Sequence, residues 1–470
     1  MEFHKLARQF FPRSSTWACL IVLVIVSTST SLAQARAERA SGATWDRTYL
    51  SVVPGTSSVE QTKDGGFIMS ALSRGLWVMK ANPAGLPEWQ KEYTPAGYSV
   101  CCDSATRRVM QTSDGGYMIV GTALSNGYAT GYDGWLLKLD KRGSVEWSRT
   151  YGGPNDDSFA SGRQTSDGGY IVAGNSLSFG SPYDASNGWV VRLDGQGRVL
   201  WQEVFPAQDI FSIDEMNDGG FLVAGAIGLS GQAVLWVSEL ELQGSVAWQA
   251  AYALPQIVST SPNLIFDGMA RETSKGEIIV MAEASGAFVV SDATILKLDH
   301  QGSILWEKSY SGGGFTQPSS ISEMSDGGFI LAGRFSQANP SREVRGALVG
   351  LSGPFLLRLD FSGNLLWQNT YGGQNDFLVQ AEQTKDGGII AVGSNAGGDL
   401  GRVLKLDSAG GIHWCPVGVP SNATLTGTSA IVANTTIASV NTNATGTSTD
   451  VAVTTPSILT VQNQCHLRNQ

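Results

Sequence analysis

The stretch QTSDGGYIVAG at residues 164–174 occurs in near-copies at 111–121 (QTSDGGYMIVG) and 383–393 (QTKDGGIIAVG). Counting a degenerate copy, TSKGEIIV at 273–280, the motif recurs every 50 to 60 residues. Glycine accepts the positive φ of a tight hairpin, and the flanking residues are β-branched or aromatic, so each copy predicts a hairpin. The DGG aspartates are Asp64, Asp114, Asp167, Asp218, Asp326 and Asp386.

The second half of the repeat is more regular still. It places a glycine four residues before a tryptophan, as in LDGQGRVLW at 193–201. The tryptophans are Trp89, Trp147, Trp201, Trp248, Trp306, Trp367 and Trp414. The glycines are Gly85, Gly143, Gly197, Gly244, Gly302, Gly363 and Gly410. Twelve residues before the tryptophans, a third column contains Trp77, Trp135, Trp189, Trp236, Thr294, Phe355 and Arg402.

A repeat of this length with four short strands predicts one blade of a β-propeller. We therefore expect an all-β fold with seven four-stranded antiparallel blades over residues 36–415 and a Ser/Thr/Asn-rich tail over 416–470. The stretch TWDRTY at 44–49 resembles the outer-strand stretch EWSRTY at 146–151. We expect it to join the last blade and close the ring, at the place where the IHWC stretch (412–415) would otherwise lie.

The first 35 residues predict a secretory signal peptide, since basic residues precede a short apolar run at 17–26 and AQA at 33–35 offers a cleavage site. Of 31 basic and 41 acidic residues, three and one lie in this segment, which leaves a net charge of −12. The acidic balance argues against nucleic acid and anionic membranes as partners. We expect a secreted or cell-surface monomer that does not insert into the membrane after signal cleavage.

The pattern QTxDGGYxVAG…WxxKLDxxGxxxW resembles a family of secreted bacterial and archaeal propeller-repeat proteins, and the resemblance covers 44–415. Members of that family are mostly uncharacterised, and some carry carbohydrate-related labels such as endoglucanase. The chain is also similar, more distantly, to the quinoprotein dehydrogenase propellers. That second resemblance implies a vicinal disulfide at Cys101–Cys102 beside a quinone cofactor.

Four cysteines remain after signal cleavage: Cys101, Cys102, Cys415 and Cys465. An even number in an exported chain permits disulfides in three connectivities. One of these would join Cys415 to Cys465 and tie the tail to the ring. The tail itself is expected to form an extended stalk or a few added strands, because 421–460 is dominated by Ser and Thr and its only charge is Asp450.

The loops of variable length share one face of such a propeller, which we call the variable face, and binding residues favour such loops. The opposite face carries the short DGG and DxxG turns, and we call it the turn face. Tyrosines beside carboxylates and amides suit sugars. The candidate ligand-binding residues are Tyr128, Tyr132, Asp133, Asn155, Asp156, Asp157, Tyr183, Asp184, Asn339, Arg342, Glu343, Arg345, Asn375 and Asp376. No cofactor is expected, with calcium left open at the oxygen-rich stretch PNDDS (154–158).

Two recurring charged columns predict structure rather than function. The aspartates of the DxxG turns are expected to cap those turns, and the cations two residues earlier to pair locally. The aspartates are Asp140, Asp194, Asp299, Asp360 and Asp407, and the cations are Lys80, Lys138, Arg192, Lys297, Arg358 and Lys405.

Enzyme signatures are scarce. The chain has four histidines, which argues against histidine-based metal or triad catalysis. We therefore expect a non-catalytic propeller that binds an extracellular glycan or protein on its variable face and at the channel mouth. The alternatives are a glycoside hydrolase that uses carboxylates at the channel mouth and a quinone-dependent oxidoreductase.

Overall fold

A computed structural model describes the chain from Thr44 to Asn463 with gaps. The described residues are 44–50, 56–72, 75–95, 98–99, 108–125, 131–180, 186–205, 209–229, 232–254, 265–285, 293–311, 315–337, 343–344, 347–348, 351–371, 376–394, 401–412, 418–420, 424–427, 431–434, 440–441, 446–448, 451–454 and 460–463. Every regular element among them is a β-strand.

The strands form seven antiparallel sheets that are the blades of a β-propeller, as predicted. The innermost strands are Thr56–Gln61, Arg108–Gln111, Asp157–Gln164, Ile210–Glu215, Ile265–Glu272, Phe315–Glu323 and Phe377–Gln383. The second strands are Phe67–Leu72, Tyr117–Ser125, Tyr170–Ser176, Phe221–Leu229, Ile278–Ser285, Phe329–Gln337 and Ile389–Ser394. In blade 2 the two-residue strand Tyr98–Ser99 also pairs with the second strand.

The outer half of each blade follows the same order. The third strands are Leu76–Ala81, Tyr132–Leu139, Asn187–Leu193, Gln232–Leu240, Ala293–Leu298, Leu351–Leu359 and Gly401–Leu406. The outer strands of blades 1 to 6 are Pro87–Pro95, Val145–Tyr151, Val199–Phe205, Val246–Ala253, Ile304–Ser311 and Leu365–Tyr371. Blade 6 also carries a small hairpin of Glu343–Val344 and Ala347–Leu348.

The first strand of the chain closes the ring. Trp45–Leu50 pairs antiparallel with Gly401–Leu406 and is the outer strand of blade 7, as the sequence predicts. Arg402 donates two hydrogen bonds to the buried carboxylate of Asp46, at 3.1 and 2.7 Å. Arg402 stands where blades 1 to 4 have a tryptophan whose indole N–H bonds to the outer strand. The closing strand is therefore held by an ion pair. Among the described residues, no other blade has an ion pair at this position.

Each blade contacts the next through a tryptophan and a glycine. A Cβ built on Gly197, whose φ is +73°, would lie 2.9 Å from the ring of Trp147 in the preceding blade. The same contact recurs at all seven interfaces, between Trp45, Trp89, Trp147, Trp201, Trp248, Trp306 and Trp367 and the glycine column of the next blade. Only glycine permits both the backbone conformation and the approach of the indole.

A tyrosine hydroxyl crosses the same interface. Tyr151 donates to the carbonyl oxygen of Gly197 at 2.6 Å, and Tyr49 makes the corresponding bond to Gly85 at 2.7 Å. Burial raises the pKa of Tyr151, so the hydroxyl stays protonated and remains a donor. Phe205 takes this position in blade 3.

At the turn face, the Gln of the QTxDGG motif joins neighbouring blades. Its side-chain oxygen accepts the backbone N–H of the residue after Thr in the preceding blade, as from Ser113 to Gln164 at 2.7 Å. The bond from Lys385 to Gln61, also 2.7 Å, completes the circle. In blades 4, 5 and 6 the acceptors are the carboxylates of Glu215, Glu272 and Glu323. The repeat thus encodes seven blades and the contacts between them.

The tail adds a fifth strand to every blade. Its strands are Gly418–Pro420, Thr424–Gly427, Ile431–Asn434, Val440–Asn441, Gly446–Ser448, Val451–Thr454 and Thr460–Asn463. They pair antiparallel with the outer strands of blades 6, 5, 4, 3, 2, 1 and 7 in turn. We call these seven strands the belt, because they run once around the propeller in the direction opposite to the blades. Of the two expectations for the tail, the structure shows added strands.

The Trp–Gly contact makes a testable prediction in blade 3. Gly168 has a φ of +85° and open space where a Cβ would lie, whereas Gly197 combines its positive φ with the Trp147 contact. Gly168→Ala is expected to cost about 1–2 kcal/mol of unfolding free energy from backbone strain alone. Gly197→Ala should cost roughly 1–3 kcal/mol more, because the indole must also move. Denaturant unfolding measures both, and equal losses would contradict the contact's role.

The belt makes a second prediction. An outer strand without its fifth strand presents unpaired N–H and C=O groups, which favour pairing with other chains. A chain ending at residue 416 should melt at a lower temperature than the full chain and should self-associate in size-exclusion chromatography. A chain ending at residue 463 keeps all belt strands and is the control. An unchanged melting temperature and a monomeric state for the shorter chain would show that the belt contributes nothing.

Candidate functional site

A cavity of about 320 Å³ lies between blades 2 and 3 on the variable face. Blade 2 contributes Thr122 and Tyr132, and blade 3 contributes the start of its innermost strand and the end of its second strand. The blade 3 residues are Asp156, Asp157, Ser158, Phe159, Ala160, Asn175, Ser176, Leu177 and Ser186. Three of the sequence-predicted residues, Tyr132, Asp156 and Asp157, thus lie around one cavity.

The buried carboxylate of Asp157 holds the wall of this cavity together. It accepts hydrogen bonds from the backbone N–H of Gly153 at 2.7 Å and the Ser178 hydroxyl at 2.6 Å, and also from the Ser176 hydroxyl. Burial raises the pKa of Asp157, and these hydrogen bonds oppose the shift. With its oxygens so engaged, Asp157 shapes the site and is not available as a ligand-binding group.

Asn155 has the same structural role. Its backbone N–H donates to the Ser178 hydroxyl at 2.9 Å, and its side-chain amide donates to the Leu177 carbonyl at 3.2 Å. The connection between blades 2 and 3 is thereby fastened to the end of the second strand of blade 3.

Asp156 is exposed and links the two blades. One of its carboxylate oxygens accepts the backbone N–H of Tyr132 at 2.9 Å. This bond places the half-buried Tyr132 side chain at the cavity, opposite the strand that begins at Asp157. The other carboxylate oxygen of Asp156 has no protein hydrogen bond within the described residues.

Packing and hydrogen bonds hold two of the lining side chains, those of Phe159 and Asn175, in place. The ring of Phe159 stacks on Trp189, with centroids 5.1 Å apart and planes at 24°. Asn175 accepts the backbone N–H of Ile210 through its side-chain oxygen at 2.8 Å, which fixes its amide. The site therefore combines an aromatic and aliphatic surface with hydroxyl, amide and carboxylate groups held in place by the scaffold.

Ser158, Asn175 and Ser186 also line the cavity, from three different segments, and the sequence did not predict them. Small polar residues in a Ser- and Asn-rich loop sequence carry no distinguishing pattern. Their position at strand ends on the variable face is the only signal that could have identified them.

Of the other candidates, those that the structure describes lie elsewhere. Asp376 pairs with Arg402 at 3.6 Å at the seam of blade 7, and Asp133 lies against Gly152 beside the blade 2 to blade 3 connection. The backbone of Glu343 lies in the blade 6 hairpin. Tyr128, Tyr183, Asp184, Arg342, Asn375, Asn339, Arg345 and the cysteines Cys101, Cys102, Cys415 and Cys465 lie outside the described residues.

The aspartates of the DxxG turns cap those turns, as predicted. Asp194 accepts the backbone N–H groups of Gln196 and Arg198, both at 2.9 Å. Burial alone would raise the pKa of Asp194, but these hydrogen bonds outweigh it and lower the pKa. Asp140, Asp299, Asp360 and Asp407 accept backbone N–H groups of their own turns in the same way.

The buried cations of the third strands pair locally, also as predicted. Lys138 lies 2.9 Å from the DGG aspartate Asp114 and 2.9 Å from Glu146. In blade 5, where Lys275 replaces the DGG aspartate, Lys297 pairs with Glu277 at 2.5 Å instead. These ion pairs join strands and turns within single blades.

Two other kinds of feature are missing from the described part of the chain. No helix there is long and apolar enough to cross a bilayer. No group of three or more His, Cys, Asp or Glu side chains there is placed to hold a metal ion.

Similarity to known proteins is found among solved structures, at low sequence identity. No protein-family model matches this chain, and no curated protein is similar to it. A protein of unknown function from Bacteroides caccae is 14% identical and covers 56% of this chain and 93% of its own length, with a TM-score of 0.35.

Two further solved structures have similar TM-scores. A member of the DUF4221 family from Bacteroides vulgatus is 10% identical over 67% of this chain and 96% of its own, with a TM-score of 0.36. A putative oxidoreductase (glucose dehydrogenase) from Thermus thermophilus is 13% identical over 76% of this chain and 97% of its own, with a TM-score of 0.32.

Proposed function

We propose that this protein is an exported, non-catalytic β-propeller that binds an extracellular glycan in the variable-face cavity between blades 2 and 3. The observation that carries the proposal is the convergence of Tyr132 and Asp156, two residues singled out on sequence grounds, around one cavity. Export rests on the basic start, apolar run and AQA cleavage site of residues 1–35.

The chemistry of the cavity suits a sugar ring. Sugars present apolar C–H faces and many hydroxyls, and the cavity offers the Tyr132 side chain and Leu177 together with Asp156, Asn175 and serine hydroxyls. A volume of about 320 Å³ lies at the lower end of the range typical of small-ligand sites. A single saccharide unit, or the end of a longer chain, is therefore the expected occupant.

Preorganisation supports binding over a merely solvated surface. Asp157, Asn155 and Asn175 use their polar groups to hold the backbone of the site, so little ordering remains to be done when a ligand enters. Loops held this way on a rigid scaffold are where binding residues concentrate.

The test is a glycan array probed with purified residues 36–470, followed by titration of the glycans that bind. Asp156→Asn keeps the oxygen that accepts the Tyr132 N–H but removes the charge, and should weaken binding about tenfold. Tyr132→Ala should weaken it as well. Asp218→Asn, an exposed DGG position on the turn face, is the matched control and should bind as the unmodified protein does.

Absence of glycan binding would contradict the proposal and redirect the search to protein ligands of the same face. Binding that survives both Tyr132→Ala and Asp156→Asn would place the glycan elsewhere. The same preparation should leave the number of reducing ends of a bound polysaccharide unchanged. An increase in the number of reducing ends would show that the protein hydrolyses the polysaccharide, which would contradict a non-catalytic function.

A further inference from the structure

The Gln and Glu side chains that join neighbouring blades at the turn face form what we call the Gln/Glu ring; they are Gln61, Gln111, Gln164, Glu215, Glu272, Glu323 and Gln383. The innermost strands make a second ring of contacts between blades, three residues earlier on each strand. At the position three residues before the Gln or Glu, five blades have a side chain that accepts a backbone N–H of the next blade. The acceptors are Ser58, Ser161, Ser212, Ser320 and Gln380, at 3.0 to 3.3 Å. These side chains satisfy edge groups that would otherwise face the channel.

Blades 5 and 2 depart from this pattern. Met269 occupies the position in blade 5, and Arg108 occupies it in blade 2. Within the described part of the chain, no hydrogen bond or close ion pair joins its guanidinium to another residue. Arg108 instead lines a cavity of about 540 Å³ at the turn-face end of the channel. A repeat position that gives up a structural bond for an inward-facing charge needs another explanation.

We call this cavity the channel chamber, and its inner ring of charged residues comes from six blades. Going round the ring, it contains Glu60, Arg108, Arg163, Asp214, Arg271 and Glu382, with Ser322 between the last two. Outside them, toward the mouth, lie the Gln/Glu ring residues Glu215, Glu272, Glu323 and Gln383.

Positive and negative side chains are not evenly distributed around this ring. Glu382 and Glu60 stand on the adjacent blades 7 and 1, while Arg108 and Arg163 stand on the adjacent blades 2 and 3. Only part of this charge is matched closely. Arg163 lies 2.5 Å from Asp214, whereas Arg271 lies 4.0 Å from the same carboxylate.

The remaining carboxylates are bound to neutral donors. Glu60 accepts the backbone N–H of Gln111 at 3.0 Å, and Glu382 accepts the side-chain amide of Gln380 at 2.7 Å. The chamber therefore has an acidic side at blades 7 and 1 and a basic side at blades 2 and 3.

The crowding on each side shows in the ionisation of its members. Burial, and next the charge of Glu382, raise the pKa of Glu60. Burial, and next the guanidinium groups of Arg163 and Arg271, lower the pKa of Arg108 to about 10. Opposite charges of the chamber partly offset these shifts, since Arg108 and Arg163 lower the pKa of Glu60 and the carboxylates of Glu382 and Asp214 raise that of Arg108.

We propose that the channel chamber binds a small zwitterion of amino-acid or dipeptide size, with its carboxylate against Arg108 and Arg163 and its ammonium group against Glu60 and Glu382. A guanidinium with free donors is the preferred partner of a carboxylate. The chamber volume lies within the range of small-ligand sites. This site is at the opposite end of the propeller from the variable-face cavity, and either proposal can fail without the other.

Three probes that differ in which terminal charges they carry test the proposal by isothermal titration calorimetry on residues 36–470. Glycylglycine carries both charges, N-acetylglycylglycine lacks the ammonium group, and glycylglycine amide lacks the carboxylate. Glycylglycine should bind at least about tenfold more tightly than either singly charged probe, as expected for loss of a charged hydrogen bond.

Substitutions then locate the site. Arg108→Gln and Glu60→Gln should each weaken glycylglycine binding about tenfold. The first removes a guanidinium that binds the ligand's carboxylate, and the second removes a carboxylate that binds the ligand's ammonium group. Arg142→Gln, on an exposed turn of the same blade as Arg108, is the control and should change nothing. Thermal unfolding of each variant separates loss of binding from loss of fold.

Absence of heat with glycylglycine, or equal affinity for all three probes, would overturn the proposal. Zwitterion binding that is insensitive to Arg108→Gln and Glu60→Gln in folded protein would overturn it too. In that case the charges of the chamber serve only to neutralise one another.

Discussion

The contact between a tryptophan of one blade and a glycine of the next is the constraint on which the whole ring depends. It recurs at all seven interfaces, including the seam, where Trp45 meets Gly85. The indole packs against the turn of the next blade. Because the residue it contacts there is a glycine without a side chain, the two blades can approach closely. At six of the seven interfaces the tyrosine hydroxyl fixes the same two blades at a second point, and the Gln and Glu side chains at the turn face fix them at a third.

Much of this architecture is visible in the sequence because the repeat keeps its frame. The spacing of DGG, glycine and tryptophan predicts the blades, and the likeness of 44–49 to 146–151 predicts the closing strand. The belt could not be assigned in the same way. A Ser/Thr-rich segment has neither alternating apolar residues nor turn signals that name its partner strands, and its pairing depends on outer edges that exist only once the ring has formed.

The candidate sites show a similar division. Tyr132 and Asp156 stand out as an aromatic and a carboxylate in loops of variable length, and the structure brings them to one cavity. Asp376 looks the same in sequence but is engaged by Arg402, a contact within blade 7 that no local pattern reveals. The channel chamber is hidden for a further reason, since its charges come from single positions in six blades. Arg108 is recognisable only once the Ser and Gln side chains at this position in five other blades are known to have a structural role.

A double-mutant cycle at the seam tests whether the first strand completes blade 7 and closes a continuous ring. Asp46→Asn, Arg402→Gln and the double variant are compared by denaturant unfolding. We expect the two changes to be coupled by about 1 kcal/mol or more, because each single variant leaves a buried polar partner unmatched. Additive effects of the two substitutions would contradict the pairing of Trp45–Leu50 with Gly401–Leu406 and with it the closed ring.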